Sequence, residues 1–93
     1  MKLNKEELEQ LEEMAAALMP ASEIAILMNI EVEKRPRFID QCKNHKSTAV
    51  YTAYQRGRLT TKLELRKTVV KLAKAGSPAA EPLAIKFITE QEI

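Results

Sequence analysis

The sequence lacks most of the residues from which catalytic and metal sites are built. It has one cysteine and one histidine, so the chain contains neither an internal disulfide nor the paired ligands of a zinc site. Its only glycines are Gly57 and Gly76, which leaves no glycine-rich loop to hold a phosphate. Cys42 falls on the apolar face of a predicted helix, which favours a core position over a nucleophile, and His45 falls in a predicted turn. We therefore predict a non-catalytic protein with no catalytic residues, no metal site and no cofactor.

Aromatic residues and long apolar runs are also scarce. With two tyrosines, two phenylalanines and no tryptophan, the core must be mainly aliphatic. No apolar run approaches the ~20 residues of a membrane-spanning helix, and the charged amino terminus is unlike a signal peptide. A single free cysteine fits a reducing compartment. These features predict one soluble intracellular domain over residues 1–93, without a membrane partner.

Charge is distributed unevenly along the chain, although the net charge is only +2. Residues 1–33 carry two lysines and eight glutamates, a balance of −6. Residues 34–74 carry twelve basic and two acidic residues, a balance of +10. Dense positive charge is typical of proteins that bind polyanions, most often nucleic acid. The alternative is that the acidic first helix docks on the basic segment, within one chain or between subunits.

The first predicted helix begins with a clear capping pattern. Asn4 as N-cap and Glu7 three residues later form a capping box, and Leu3 and Leu8 can pack together as a hydrophobic staple. The dipeptide Met19-Pro20 should end the helix, because proline disfavours helical backbone in the residue before it.

Residues 22–30 resemble the first half of a helix-turn-helix motif. Ser22 is the predicted N-cap of a second helix, and Asn29 would occupy the left-handed turn position before an inward-facing Ile30. The side chains of this helix that are predicted to face inward are Ile24, Ala25, Leu27 and Met28.

The pattern changes at Arg35, where the motif calls for a core Ile or Val, and at Pro36. Proline inside a regular helix costs about 3 kcal/mol, so Pro36 is predicted to begin a helix that ends at Lys43. A plain helical hairpin is the alternative to a DNA-reading helix-turn-helix. The predicted inward side chains of this third helix are Phe38, Ile39 and Cys42.

One long helix is predicted over residues 47–76. The segment contains no proline, Ser47 is a good N-cap, and Gly76 followed by Ser77-Pro78 is a strong stop signal. A closing helix is predicted over residues 78–90, with Pro82 weakening its first turn. The predicted fold is therefore all-α: a helix-turn-helix-like front over residues 4–45, one long basic helix, and a short C-terminal helix.

The long helix carries two apolar stripes at helical spacing. The wider stripe comprises Val50, Tyr54, Gly57, Thr61, Leu65, Val69 and Leu72. The narrower stripe, nearly opposite, comprises Leu59, Leu63 and Val70. Two stripes predict two contacts, so we assign the narrower one to a homo-oligomer interface. The alternative is that one small bundle covers both stripes.

Seven cations are the predicted DNA-binding residues. Three of them lie where the front motif would present side chains to a groove, and the others could extend that surface along the DNA backbone. Gln41 and Asn44 are the only amides nearby, so phosphate contacts should dominate over base recognition. The predicted set is Lys34, Arg35, Arg37, Lys43, Lys46, Arg56 and Arg58.

Segments of the long helix and its end resemble small phage proteins of the terminase small subunit type. Ala53-Tyr54-Gln55-Arg56-Gly57-Arg58 resembles the family's aromatic-x-x-Gly-basic segment. Arg66-Lys67, followed by Leu72-Ala73-Lys74-Ala75-Gly76-Ser77-Pro78-Ala79-Ala80, resembles its basic pair and the small-residue segment after it. The resemblance extends over residues 8–88.

This resemblance implies recognition of double-stranded viral DNA for packaging, in the cytoplasm of a bacterial host. It also implies a homo-oligomer, usually a ring, that passes DNA to a large terminase subunit with ATPase and nuclease activity. Two alternative functions stay open. One is a structural oligomerisation module, in which the acidic first helix docks on the basic helix. The other is a small helix-turn-helix transcriptional regulator.

Overall fold

All regular structure in the computed structural model, which describes residues 2–91, is helical. The all-α prediction is therefore confirmed, including the helix-turn-helix-like front, the long helix and the short closing helix. The elements are α1 (Lys5–Ala16), α2 (Ala21–Leu27), a 3-10 turn (Val32–Lys34), α3 (Arg35–Asn44), α4 (Ala49–Lys74) and α5 (Glu81–Gln91).

The chain divides within α4 into two compact units, one ending at Thr61 and the other beginning at Lys62. Each unit is described by itself below. The prediction that the whole chain forms one domain stays a prediction.

The start of α1 follows its sequence signals. The side-chain oxygen of Asn4 accepts a hydrogen bond from the Glu7 amide at 2.8 Å, and the Glu7 carboxylate accepts one from the Asn4 amide at 2.9 Å. The reciprocal bonds satisfy two amides that a helix start leaves without partners. These two hydrogen bonds confirm the capping-box prediction. Leu3 and Leu8 both pack against the core.

The end of α1 lies earlier than predicted. The helix stops at Ala16, and Leu18 adopts a left-handed conformation with φ 63°. The Met19 amide then donates to the Met14 carbonyl at 3.3 Å, which closes the helix. The chain thus reverses before Pro20, through a residue that rarely takes this backbone conformation.

The turn after α2 is as predicted, but two details of the helix are not. Asn29 is left-handed with φ 57°, and the Ile30 amide donates to the Ala25 carbonyl at 3.0 Å. Ser22 is not the N-cap, because α2 begins at Ala21 directly after Pro20. Leu27 is 58% exposed rather than inward-facing.

Pro36 lies in the first turn of α3, which begins at Arg35, one residue before the predicted start. Proline is tolerated there because the amides of a first turn need no helical partner. The 3-10 turn precedes α3, so no regular helix runs through this point. The helix ends at Asn44, one residue beyond the predicted end. Phe38 and Cys42 are completely buried, and Ile39 packs against the core.

The long helix α4 has 26 residues and is therefore about 39 Å long. It begins at Ala49, and Thr48 rather than Ser47 acts as its N-cap. The Thr48 hydroxyl accepts a hydrogen bond from the Tyr51 amide at 3.2 Å. The prediction of Ser47 as the cap is wrong by one residue.

Within the first unit, α4 crosses α1 with its backbone almost touching. A Cβ on Gly57 would lie 2.1 Å from the Glu12 carbonyl oxygen and 3.0 Å from Ala15 Cβ. One turn later, the Thr61 hydroxyl donates to the Ala16 carbonyl at 2.5 Å, which satisfies a carbonyl at the end of α1. The core beneath this crossing includes Leu11, Ile24, Phe38, Cys42 and Val50.

The second unit, described from Lys62 to Gln91, pairs the later part of α4 with α5. Arg66 donates to the Glu90 carboxylate, which lowers the pKa of Glu90, and its guanidinium carbon lies 4.2 Å from the centre of the Phe87 ring. Ala80 is the one buried side chain among residues 62–91. The closing helix begins at Glu81, later than the predicted residue 78.

Replacing Gly57 by Ala should destabilise the protein by about 2 kcal/mol. Overpacking costs typically 1–3 kcal/mol, and we expect the upper end of this range because the obstacle is a backbone carbonyl that cannot rotate away. The better helix propensity of Ala returns only about 1 kcal/mol. Urea denaturation followed by circular dichroism measures the change, with Thr60→Ala on the exposed side of α4 as the matched control. Equal stability of Gly57→Ala and the parent protein would contradict the close crossing.

The Cys42 thiol should resist alkylation in the folded protein. Burial raises its pKa to about 12, so almost no reactive thiolate exists at pH 8, and the side chain has no access to solvent. We expect iodoacetamide to label Cys42 only at the rate at which the first unit opens. A Thr60→Cys variant provides an exposed thiol that should label at once. Rapid labelling of Cys42 in the parent protein would contradict its place in the core.

Candidate nucleic-acid interface

The seven predicted DNA-binding cations occupy three kinds of position in the first unit. Lys34, Arg37, Lys43 and Lys46 are exposed on α3 and its flanking turns, and we call these four the α3 cation surface. Arg35 and Arg58 are half-buried, and Arg56 is exposed on α4. The structure therefore separates cations that point to solvent from cations that also bind other parts of the protein.

Arg35 has a structural contact that the sequence did not reveal. Its Nε donates to the Ile30 carbonyl at 3.0 Å, which ties the start of α3 to the turn after α2. A core aliphatic residue is expected at this position of the motif. Arg35 meets this need in part, because the residue is half-buried and its guanidinium donates to a carbonyl. Loss of Arg35 would therefore disturb the turn as well as the charge.

Arg58 is the second cation engaged within the protein. Its Nε and one terminal nitrogen donate to the Gln55 side-chain oxygen at 3.2 and 3.1 Å. Gln55 in turn donates to the Cys42 carbonyl at 3.3 Å, near the end of α3. This relay joins α4 to α3, so Arg58 also has a structural role.

Arg56 lies beside acidic residues of α1. It lines a pocket of about 520 Å³ together with Glu9, Glu12 and Lys5. These carboxylates reduce the positive potential around Arg56.

Asp40 is an acid on α3 whose environment the sequence did not predict. Its carboxylate accepts from Asn44 Nδ2 at 2.8 Å and pairs with His45 Nε2 at 2.5 Å. These two hydrogen bonds, the one from Asn44 first, lower the pKa of Asp40. The four-residue spacing of Asp40 and Asn44 was the available signal. His45, predicted only as a turn residue, therefore has a defined partner near the cations Arg37 and Lys43.

The amides near the α3 cation surface have little freedom to read bases. Gln41 is only 6% exposed, and its buried Oε1 has no hydrogen-bond partner within residues 2–91. Asn44 already donates to Asp40. Direct base recognition in the major groove relies on such donors and acceptors, so the available chemistry is mainly phosphate contact.

The predicted oligomer interface is exposed to different degrees. Leu59 and Leu63 are 46% and 53% exposed, whereas Val70 is 37% exposed and lies beside α5. The wider stripe is buried only in its first part. Its members Leu65 and Leu72 are 54% and 48% exposed, so the alternative that one small bundle covers both stripes is wrong for the later part of α4.

Within the part of the chain that the structure describes, no group of three or more His, Cys, Asp or Glu residues could hold a metal ion. None of the described helices combines the length and apolar character needed to cross a membrane.

Comparisons of the chain with protein-family models, with curated proteins and with solved structures found no match.

Proposed function

We propose that this protein binds double-stranded DNA without catalysing a reaction, as a phage or prophage protein of the packaging type. The observation that supports this most is the α3 cation surface: four exposed cations on the second helix of the helix-turn-helix-like front and its flanking turns. Lys34 pairs weakly with Glu31 at 3.6 Å, and no ion pair involves Arg37, Lys43 or Lys46 among residues 2–91. Exposed cations without acidic partners are suited to phosphates.

In this proposal the seven predicted cations have different roles. The α3 cation surface neutralises phosphates, while Arg35 and Arg58 hold α3 against the α2 turn and against α4. Arg56 adds a weaker contact from α4. With Gln41 buried and Asn44 engaged, affinity arises mainly from charge, so binding should be strongly salt-dependent and weakly sequence-dependent.

Homo-oligomerisation through Leu59, Leu63 and Val70 belongs to the same proposal, as does delivery of DNA to a large terminase subunit. The exposure of Leu59 and Leu63 supports self-association, since exposed leucines on one helix face favour an apolar contact.

A structural oligomerisation module is the second candidate. Glu6, Glu9 and Glu13 are exposed on α1, and this acidic surface could pair with basic residues of another subunit. This candidate does not bind DNA, so the two proposals predict different results in the DNA-binding experiment that follows.

The double change Arg37→Ala with Lys43→Ala should flatten the salt dependence of DNA binding. Each phosphate contact contributes about −0.9 to the slope of log affinity against log salt, so the slope should become roughly 1.8 less steep. Fluorescence anisotropy with a labelled 20-base-pair duplex at several salt concentrations measures this slope.

The matched control for this experiment removes the same charge elsewhere, by Lys5→Ala with Lys86→Ala, both exposed and outside the α3 cation surface. This pair should leave the slope nearly unchanged. No binding by the parent protein at low ionic strength would exclude the DNA proposal and favour the oligomerisation module. If both pairs of substitutions made the salt-dependence slope equally less steep, DNA would not bind at a defined surface.

A Leu63→Glu variant should reduce self-association without loss of helix. Full burial of a leucine is worth about 1.5–3 kcal/mol, and a carboxylate in an apolar contact would oppose association. Analytical ultracentrifugation gives the molar mass, and circular dichroism gives the helix content. Glu64→Gln, which removes a charge from the neighbouring exposed position, is the control. A parent protein that sediments as a monomer at high concentration would contradict the predicted interface.

A further inference from the structure

The second unit contains an apolar groove of which the proposed oligomer interface uses only Val70. It lies between the later part of α4 and α5 and has a volume of about 430 Å³. We call it the α4–α5 groove. The apolar side chains that line it are Val70, Ala73, Ala84, Ile85, Phe87 and Ile88.

This groove is open although its lining is aliphatic and aromatic. Ile85 and Ile88 are 63% and 58% exposed, and Ala80 is the one buried side chain among residues 62–91. The helix α5 has 11 residues, below the ~12–15 at which an isolated helix becomes marginally stable in water. A contiguous apolar surface of this kind marks a place where another molecule packs.

The charges around the groove indicate what kind of molecule fits. Lys67, Lys71 and Lys74 follow one another at four and three residues, so they share one exposed edge of α4. Lys74 also lines the groove, together with the acid Glu81. Residues 62–91 carry six basic and three acidic residues, a balance of +3. Packing of this groove on the same groove of a second copy would therefore bring like charge against like charge.

We propose that the α4–α5 groove binds one amphipathic helix of a partner protein whose edge is acidic. The apolar face of that helix packs on Ala73, Ile85 and Ile88, and its carboxylates pair with Lys67, Lys71 and Lys74. Helix-in-groove recognition of this type uses apolar anchors at positions i, i+3 or i+4, and i+7. Duplex DNA fits the lysines but leaves the apolar lining uncovered, so the groove favours a protein partner.

A synthetic peptide tests the proposal without knowledge of the natural partner. The probe is a 15-residue labelled helix with four leucines on one face and glutamates along both edges. A control peptide keeps the leucines and replaces the glutamates by lysines. We expect fluorescence anisotropy to show binding of the acidic peptide that is about tenfold tighter than that of the basic peptide and that weakens with salt.

Protein variants then locate the site. Ile88→Glu places an acid in the groove and should weaken binding of the acidic peptide at least about tenfold. Leu83→Glu introduces the same acid on α5 at a similarly exposed residue outside the lining and should have little effect. Lys74→Gln should weaken binding and reduce its salt dependence. Circular dichroism of each variant shows whether the helices persist.

Four outcomes would overturn the proposal. Equal affinity for both peptides would mean non-selective apolar adhesion. No peptide binding by a protein that sediments as a dimer, where Ile88→Glu yields monomers, would assign the groove to a second copy. Displacement of the peptide by duplex DNA would assign the lysine edge to nucleic acid. Equal loss of binding in Leu83→Glu and Ile88→Glu, with helix content retained, would place the peptide elsewhere.

Discussion

The close crossing of α4 over α1 at Gly57 is the constraint on which the first unit depends. Any side chain at this position would meet the Glu12 carbonyl, so the two backbones approach as closely as they do only because the residue is glycine. The hydroxyl of Thr61 then satisfies the Ala16 carbonyl where α1 ends. With α4 held against α1, the core closes around side chains that include Leu11, Ile24 and Phe38, each of which is fully buried. The helix α3, which carries Arg37 and Lys43, packs mainly against α2.

Two arginines show how charge serves both the fold and the proposed DNA contact. Arg35 donates to the Ile30 carbonyl and Arg58 donates to Gln55, so part of the donor capacity of each is used internally. A net positive charge read from sequence counts these groups equally with Arg37 and Lys43, whose side chains are exposed. Only exposed cations such as Arg37 and Lys43 can release counterions from DNA without disturbing the fold.

The sequence predicts best where a local rule acts alone. The capping box at Asn4, the left-handed Asn29 and the first-turn Pro36 each depend on residues within a few positions, and each is confirmed. Where neighbouring residues could fill the same role, the prediction is wrong by one residue. Thr48 rather than Ser47, for example, is the N-cap of α4. The contacts of Arg35 and Arg58 and the burial of Gln41 depend on residues brought together by folding, which helical periodicity does not specify. Periodicity likewise identified the apolar stripe of α4 but not the point beyond Thr61 at which it becomes exposed.

The two units differ in what stabilises them, and this difference bears on how the second one would act. In the first unit a buried core holds the helices. In the second, α5 is attached by the Arg66 ion pair with the half-exposed Glu90 and by the contact of Arg66 with Phe87. A cation–π contact contributes about 0.5–1 kcal/mol and an exposed ion pair adds little to it, which is a small stabilisation for an 11-residue helix. A partner that binds only the formed groove stabilises α5 in proportion to its concentration and affinity. In the proposed complex, the order of α5 is therefore coupled to occupancy of the groove.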